Sequence, residues 1–459
     1  MRSHASNSAH VVLSSANFAL KISGLALALT LATPLHAQVP GAGSANGPMT
    51  PEQYAQSLAL ADPRTPIVSR PGALTLTQVI DAARTKNPTL LAAAQSLRAV
   101  RAQEIQAGLR ANPYFTLNGT DITYGANAQN PYTYTAQISR LFERGEKRRW
   151  RLDDARATTA ETSAQLEDTT RQTILIIKTA FIQMLQAKAS LQLTRAELVQ
   201  FQHEVDIAHD RFQAGDLAKI DFERLDLQVA SFESAESNDI VNLRQASDQL
   251  QTLMGVETPN PNFDITGDIV PPVFTVNLPN LIQTALDKRP DYATAKFGVD
   301  AAVANQKLTF ANGTTDPTLE VEYDRAGHEN SVGFSVNIPL RIFDRNQGNK
   351  ETSIFQADAS RFTLIAAKNQ VVSDVDQAWI NYTESKRLSD RYTSHYLEET
   401  KDVLTIAQFA FEHGGIALID YIDTVRDTEI INSAAISAFK QTWLAIHQLS
   451  AATASEMTP

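Results

Sequence analysis

Two carboxylates, Asp420 and Asp423, have a spacing that could serve electrostatic chemistry. They come five and eight residues after the Gly-Gly turn sequence at 414–415. A spacing of three residues places both side chains on one face of a helix, close to its start. Two interpretations are open from these residues alone. The pair either acts on a charged species or belongs to a solvated helix face near a cap.

No other set of residues predicts catalysis or a bound cofactor. The histidines are scattered, and the six-residue gap between His203 and His209 places them on different faces of a helix. The chain has no Cys, which excludes disulfides, thiolate chemistry and Cys-based metal sites. We therefore predict no enzyme, no cofactor and no metal centre.

The segment that carries Asp420 is the second copy of an earlier one. Residues 212–221 and 411–420 align without a gap, and the Phe, first Gly, Ala, Ile and Asp positions are identical. Gly215 and Gly414 stand where the C-cap of a helix takes a left-handed backbone. Each copy is predicted to be the tight turn of a helical hairpin, so the chain contains an internal repeat.

Composition and the N-terminal sequence limit the location and the partners. The chain has 459 residues, a formal charge of −11 and no basic stripe, which argues against a nucleic-acid partner. Residues 1–37, with Lys21 before a short apolar run, are typical of a signal peptide, and a short membrane anchor that stays attached is the alternative. No other apolar run approaches the length of a membrane-spanning helix, so we expect an exported chain without one. Residues 38–73 are rich in Pro, Gly, Ala and Ser and are predicted to be extended.

Two repeats follow, at 74–254 and 278–455, separated by a Pro-rich linker at 255–277. Each opens with two short amphipathic helices divided by a break, Lys-Asn-Pro88 in the first and Lys-Arg-Pro290 in the second. Alternation of polar and apolar residues then predicts strands at about 113–124, 131–142, 317–326 and 331–342. Strands of this length suit a tilted crossing of a bilayer, and hairpins on a soluble sheet are the alternative.

A long coiled-coil pattern follows the strands. Apolar residues recur at every seventh position from Ile177 to Phe212, and small residues such as Ala180 and Ala187 fill the second seam. The helix could extend for about 100 Å at 1.5 Å per residue. The predicted fold class is mainly α with membrane β, in two tandem repeats that each join a β-hairpin to a long helical coiled-coil hairpin.

Backbone closure limits how the strands could span a membrane. Four strands cannot close a barrel, because the smallest membrane barrels have eight. An open sheet edge in lipid leaves backbone groups unpaired, at several kcal/mol each. If the strands span a bilayer, several chains must therefore share one barrel. Two chains would give eight strands, with an interior filled by side chains, whereas three would give a twelve-stranded barrel with room for a pore lined by the polar strand faces.

In the order of its elements, the chain resembles the TolC family of outer-membrane efflux ducts. The resemblance rests on the opening segment 74–83, the Lys-Asn-Pro break, the strand-end sequence from Phe142 and the two Gly-x5-Asp tips, and it covers about 74–455. It implies a homotrimer in which a twelve-stranded outer-membrane β-barrel joins an α-helical barrel in the periplasm. The segments that end at Pro113 and Arg148 are similar to the heavy-metal, CzcC-like branch.

The resemblance also implies roles for residues and partners. Asp420 and Asp423 match acidic residues at the narrow periplasmic end of the tunnel, where a carboxylate ring favours cations. The tips would dock a periplasmic adaptor that is coupled to an inner-membrane pump, through Gly215, Asp221, Gly414 and Gly415. For Asp221 and Arg224, an ion pair with the second tip is a further alternative. The predicted function is a passive exit duct for metal cations or small toxic compounds, and the alternative is a soluble periplasmic scaffold or adaptor.

Overall fold

The computed structural model describes residues 51–120, 132–272 and 277–457, which belong to one unit, Gly47–Pro459. The predicted signal peptide at 1–37 lies outside these residues, as does most of the turn between the first two strands. The described elements are, in chain order, α1 (Pro51–Leu60), α2 (Leu76–Lys86), α3 (Pro88–Ala107), β1 (Tyr114–Thr120), β2 (Thr133–Leu141), α4 (Lys147–Ala214), α5 (Lys219–Leu253), α6 (Leu278–Lys288), α7 (Pro290–Asn312), β3 (Thr318–Ala326), β4 (Glu329–Asn337), α8 (Gln347–Arg391), α9 (Leu397–Glu412) and α10 (Leu418–Thr453). The predicted class, a mainly helical chain with a small amount of β structure, is confirmed.

The four strands form one antiparallel sheet in the order β1-β2-β3-β4, so β2 and β3 join the two repeats. The register aligns Phe115, Ile138, Val321 and Phe334 in one row across all four strands. These side chains are exposed, up to 85% at Phe334. Strand residues alternate between faces, so the opposite face is polar. Within the described chain, the apolar face of this sheet has no cover.

The long helices bury the predicted heptad seam. Helix α4 has 68 residues, and α5 packs back along it beyond the turn at Gly215. Ile177, Met184, Ala180 and Phe201 are at most 2% exposed. By its length and its composition, an apolar stretch of α4 could cross a membrane, yet 61% of this stretch is buried inside the chain. Helix α4 is therefore a core helix of the bundle.

Two lysines inside this apolar stretch are also buried, and each has a carboxylate partner. Lys178 Nζ lies 2.7 Å from both carboxylate oxygens of Glu456. Lys188 Nζ lies 2.6 Å from Asp264 Oδ1 and also donates to Ile265 O at 2.7 Å. Because a buried ammonium group needs a partner, both lysines fix other segments onto α4. Asp264 belongs to the inter-repeat linker, which therefore packs against the helices.

The second repeat differs from the first in its long helix. Helices α8 and α9 are separated by a π-helical turn, Tyr392–Tyr396, whereas α4 is continuous. π-helical turns widen the backbone ring by one residue and occur often at functional positions. The interruption lies at the point where the N-terminal segment contacts the second repeat.

Two expectations were wrong, one about the N-terminal segment and one about the end of strand β4. Residues 51–60, inside the segment predicted to be extended at 38–73, form helix α1. Pro51 is at the first helical position, where its missing N–H costs nothing. Strand β4 ends at Asn337 instead of about residue 342. Pro339 follows two residues later and cannot donate to a strand ladder.

Candidate functional site: the hairpin tips and the sheet

Both hairpin tips use the same backbone turn. Gly215 and Gly414 have φ values of +85° and +72°, the left-handed region that favours glycine. Beyond each Gly, the next N–H closes a six-residue loop, from Asp216 to Arg211 O at 2.9 Å and from Gly415 to Ala410 O at 2.6 Å. This is the hydrogen bond of a Schellman motif. The first Gly of each tip is thus required by the turn, and Gly415 has no positive φ.

The tips also repeat an aromatic contact that the sequence interpretation missed. Phe212 stacks on Phe222 with ring centroids 5.5 Å apart, and Phe411 stacks on Tyr421 at 4.9 Å. Both pairs are nearly parallel, at 7° and 4°. The identical ten-residue spacing in both copies was the available signal. These stacked rings hold the two helices of each hairpin together at the turn.

Arg211 joins the two tips of one chain. Its Nη1 donates to Phe411 O at 3.3 Å, and its guanidinium lies 5.5 Å from the centre of the Phe411 ring. Among the described residues of the single chain, the ion pair suggested from Asp221 and Arg224 to the second tip does not form. Instead, Arg224 lies 3.9 Å from Asp221 on its own helix, where both side chains are exposed or half-buried. An intrahelical pair of this kind is worth little.

Asp420 and Asp423 lie on the first turns of α10, directly after the second tip. Both are exposed in the single chain. Asp423 is 4.0 Å from Arg426, and Asp420 has no ion pair among the described residues. The structure therefore presents both carboxylates at the surface of the second hairpin, free to meet another chain or solvent.

The polar face of the sheet carries a line of carboxylates on β3. Glu320 accepts from Ser335 Oγ at 2.7 Å, and Asp324 accepts from Thr135 Oγ1 at 2.5 Å. Glu322 lies across Gly333, where an added Cβ would be only 2.8 Å from its Oε1. Among the described strand residues, this face has no Lys or Arg. The electrostatic field of the polar face is therefore negative.

The family comparison decides the class of protein. The profile of the family described as outer membrane efflux protein matches residues 79–256 and 281–455. The chain belongs to this family. Its two matched segments fall on the two repeats, and together they span most of the chain.

The chain is similar to two relatives and to a solved structure over most of their length. The chain is 24% identical to the cobalt-zinc-cadmium resistance protein CzcC of Cupriavidus metallidurans over 357 residues, which covers 77% of this chain and 84% of the relative. It is 22% identical to the outer membrane protein TolC of Vibrio cholerae, over 60% of this chain and 66% of the relative. A membrane protein from Pseudomonas aeruginosa has the same fold, with a TM-score of 0.72, 18% identity and coverage of 86% and 92%.

Family membership fixes the location and the general activity of this efflux protein. It is an outer-membrane efflux duct, with its helical part in the periplasm. The predicted localisation is confirmed, and the alternative of a soluble scaffold or adaptor is not supported. The exposed apolar face of the sheet is consistent with contact to lipid, because a lipid-facing strand surface needs no protein cover.

The described part of the efflux protein contains no group of three or more His, Asp and Glu side chains that could hold a metal ion. His203 packs on the ring of Tyr54 at 4.7 Å, and His209 contacts Gln213. His447 is buried with neither ring nitrogen hydrogen-bonded, and burial lowers its pKa to about 3. These residues are separate from one another and form no common site.

Proposed function

We propose that the efflux protein is a homotrimer whose sheets form a twelve-stranded barrel joined to an α-helical barrel. The observation that carries this proposal is the open sheet. Strands β1 and β4 each have one unpaired edge in the single chain, and the face between them is apolar and exposed. Pairing β4 of one chain with β1 of the next removes every edge when three chains close the ring, which satisfies the backbone in lipid.

The duct is proposed to work passively in a tripartite system, with a periplasmic adaptor and an inner-membrane pump supplying the energy. Metal cations are the favoured substrate. The polar face of β3, with Glu320, Glu322 and Asp324, would line the pore with carboxylates. Rings of carboxylates favour cation passage. The relative CzcC is by name a cobalt-zinc-cadmium resistance protein, which supports the same class.

Asp420 and Asp423 are proposed to form the periplasmic gate. In a threefold assembly their exposed carboxylates would approach one another around the axis, so mutual repulsion would have to be offset in the closed state. The neighbouring tips, with Gly215, Asp221, Gly414 and Gly415, are proposed to dock the adaptor. Their exposed or half-buried position at the end of each hairpin supports this role.

A deletion strain tests the proposed function. We expect sensitivity to cobalt, zinc and cadmium salts, restored by the wild-type gene and less completely by the variant Glu320→Gln/Glu322→Gln/Asp324→Asn. Sensitivity to dyes and detergents alone would contradict the metal class and keep the duct. A monomer in the soluble fraction instead of a heat-resistant trimer would contradict the duct itself.

Ion selectivity in planar bilayers tests the gate. The variant Asp420→Asn/Asp423→Asn is expected to move the reversal potential in a salt gradient toward zero, because the pore loses negative charge. Asp226→Asn, an exposed carboxylate on α5, is the matched control and is expected to leave it unchanged. Equal reversal potentials for all three proteins would overturn the gate assignment.

A further inference from the structure

The segment before α2 is attached to the first repeat. We call residues 51–69, which comprise α1 and the chain that follows it, the N-terminal strap. The ring of Tyr54 lies 4.7 Å from the ring of His203 on α4. Further along, Val68 N donates to Gln192 Oε1 at 2.9 Å. The strap therefore lies along α4.

The same strap is bonded to α9, in the second repeat. Gln408 Nε2 donates to Tyr54 OH at 2.8 Å, and Arg64 Nη1 lies 2.7 Å from Glu398 Oε1. The two contacts are ten residues apart on both partners, so the strap runs antiparallel to α9. Arg64 also donates to Thr393 O at 3.4 Å, a carbonyl of the π-helical turn. The strap thus links α4 to both ends of α9.

A buried carboxyl lies between the elements that the strap connects. Glu204 on α4 is 3% exposed. Its Oε1 accepts from Gln408 Nε2 at 2.7 Å, and its Oε2 has no hydrogen-bond partner. No described cation forms an ion pair with it. One turn earlier on α4, Gln200 Nε2 is also buried without a partner. The polar interior of this junction is therefore incompletely satisfied.

The titratable groups around Glu204 do not compensate its charge. They are Glu412 on α9, Tyr421 on α10, Tyr54 on α1 and His203 on α4 itself. Burial, with a contribution from the charge of Glu412, raises the pKa of Glu204 to about 7, against the smaller effect of the Gln408 hydrogen bond. Burial also raises the pKa of Tyr421. A carboxylate without a cation is costly in such surroundings.

The direction of the pH effect follows from the raised pKa. In an opened junction Glu204 would reach water and regain its ordinary value of 4.5. The packed junction is therefore fully stable below about pH 4.5 and loses stability as the pH rises through about 7. Above that pH, the ionised carboxylate favours separation of α9 from α4 and from the strap, because Gln408 of α9 bonds both Glu204 and Tyr54.

We propose that the N-terminal strap is a proton-controlled clasp: it holds α9 against α4 while Glu204 is protonated and releases α9 when Glu204 ionises. Helix α9 leads directly into the tip that carries Asp420 and Asp423, so release frees the hairpin assigned to the gate. The link to gating rests on the proposed function. The clasp itself rests on the contacts of Tyr54, Arg64 and Glu204.

Distance measurements by pulsed electron paramagnetic resonance test the clasp in the full-length trimer. The natural chain has no Cys, so spin labels at Gln56→Cys on α1 and Thr405→Cys on α9 are the only ones. Both positions are exposed, and diluting labelled with unlabelled chains isolates the intrachain distance. We expect one narrow distance at about pH 5 and a shift of about 5 Å or more, with broadening, at about pH 9.

Three variants make the outcome decisive. Glu204→Gln is expected to keep the narrow distance at both pH values, whereas Asp206→Asn, an exposed carboxylate on the same helix, is expected to behave like wild type. Arg64→Met removes the link to Glu398 and is expected to broaden the distance already at about pH 5. It remains informative if Glu204→Gln does not assemble.

An unchanged distance in the wild type between the two pH values would overturn the proposal, and so would the same pH dependence in Glu204→Gln. The measurement needs no conduction and no partner. Failure of the metal-resistance or selectivity experiments would therefore contradict the proposed function or gate and leave the clasp standing. If those experiments give the expected results and the distance does not depend on pH, the clasp alone is contradicted.

Discussion

The breaks between the paired short helices, at Asn87 and at Arg289, occupy the same place in the two repeats and use different chemistry. Asn87 caps α3 through its Oδ1, which accepts from Thr89 N at 2.9 Å, and its Nδ2 donates to Leu253 O at 2.7 Å. Arg289 instead pairs with Asp291 and Asp374, and its Nη1 donates to Ala452 O at 3.3 Å. Both side chains therefore hold the last turn of the returning helix, α5 or α10.

This difference shows which part of a repeat is free to change. The apolar scheme and the tip geometry are shared, because both repeats must bury the same helix faces and turn in the same way. The polar joint needs only to donate to one terminal carbonyl of the returning helix and to bond the start of the next helix. A neutral amide does this in the first repeat, and a buried guanidinium with two carboxylates does it in the second.

The largest effect is expected from Arg289→Met. The side chain of Arg289 is 3% exposed, while Asp291 and Asp374 are each 32% exposed, so the change removes the guanidinium that two half-buried carboxylates share. Among the described residues, Asp291 then keeps as an ion pair only the longer contact to Arg171, at 3.9 Å. Asp374 keeps the amide of Gln370, at 2.7 Å. Removing one side of a buried pair costs about 2–4 kcal/mol here, since partial exposure reduces the usual penalty. The urea midpoint of the helical circular dichroism signal measures it. Lys288→Met, at an exposed neighbouring residue, is the control. A loss no larger than that of the control would contradict the role of the joint.

A smaller loss, about 1–2 kcal/mol, is expected from Asn87→Ala, because the cap of α3 and the bond to Leu253 O are both removed. Asn87→Ser retains a capping oxygen and separates the two contributions. Recovery of most of the stability in Asn87→Ser would assign the effect to the cap. Equal losses in both variants would assign it to the bond with α5. No loss in either variant would contradict the comparison of the two joints.

The tips are expected to give the smallest effects and to behave alike. Gly215→Ala and Gly414→Ala force a left-handed backbone on Ala, at about 1 kcal/mol each, although nothing lies within 4 Å of the added Cβ. Gly348→Ala on α8 is the matched control, because Gly348 has no positive φ and an equally open site for the added Cβ, and it is expected to cost less. Unfolding of the purified trimers in urea compares the three. Similar losses at all three positions would show that backbone strain is not the cause.

The local parts of the fold could be read from the sequence because each leaves a pattern of its own. Seven-residue spacing marked the seam from Ile177, and the repeated Gly215 and Gly414 marked the turns. Helix α1 was missed because its ten residues carry little periodicity. The π-helical turn at Tyr392–Tyr396 follows from packing between distant segments, which no local pattern records.

The candidate site was only partly accessible for the same reason. Asp420 and Asp423 could be located beside a tip, but what they face depends on chains outside the single sequence. Glu204 was not singled out from the sequence. Its one signal is its position beside Val205 in the heptad pattern, which becomes informative only when α9 and the N-terminal strap are known to cover it.

The two buried lysines of α4 have a consequence for export of the unfolded chain across the inner membrane. Lys178 and Lys188 are the only charged residues in the apolar stretch 174–191. In the unfolded chain, each would cost about 2.5–3.5 kcal/mol at the centre of a bilayer, which discourages lateral release from the translocon. The stretch can thus pass through the inner membrane without stopping there. After export, Glu456 and Asp264 neutralise the same charges inside the folded protein.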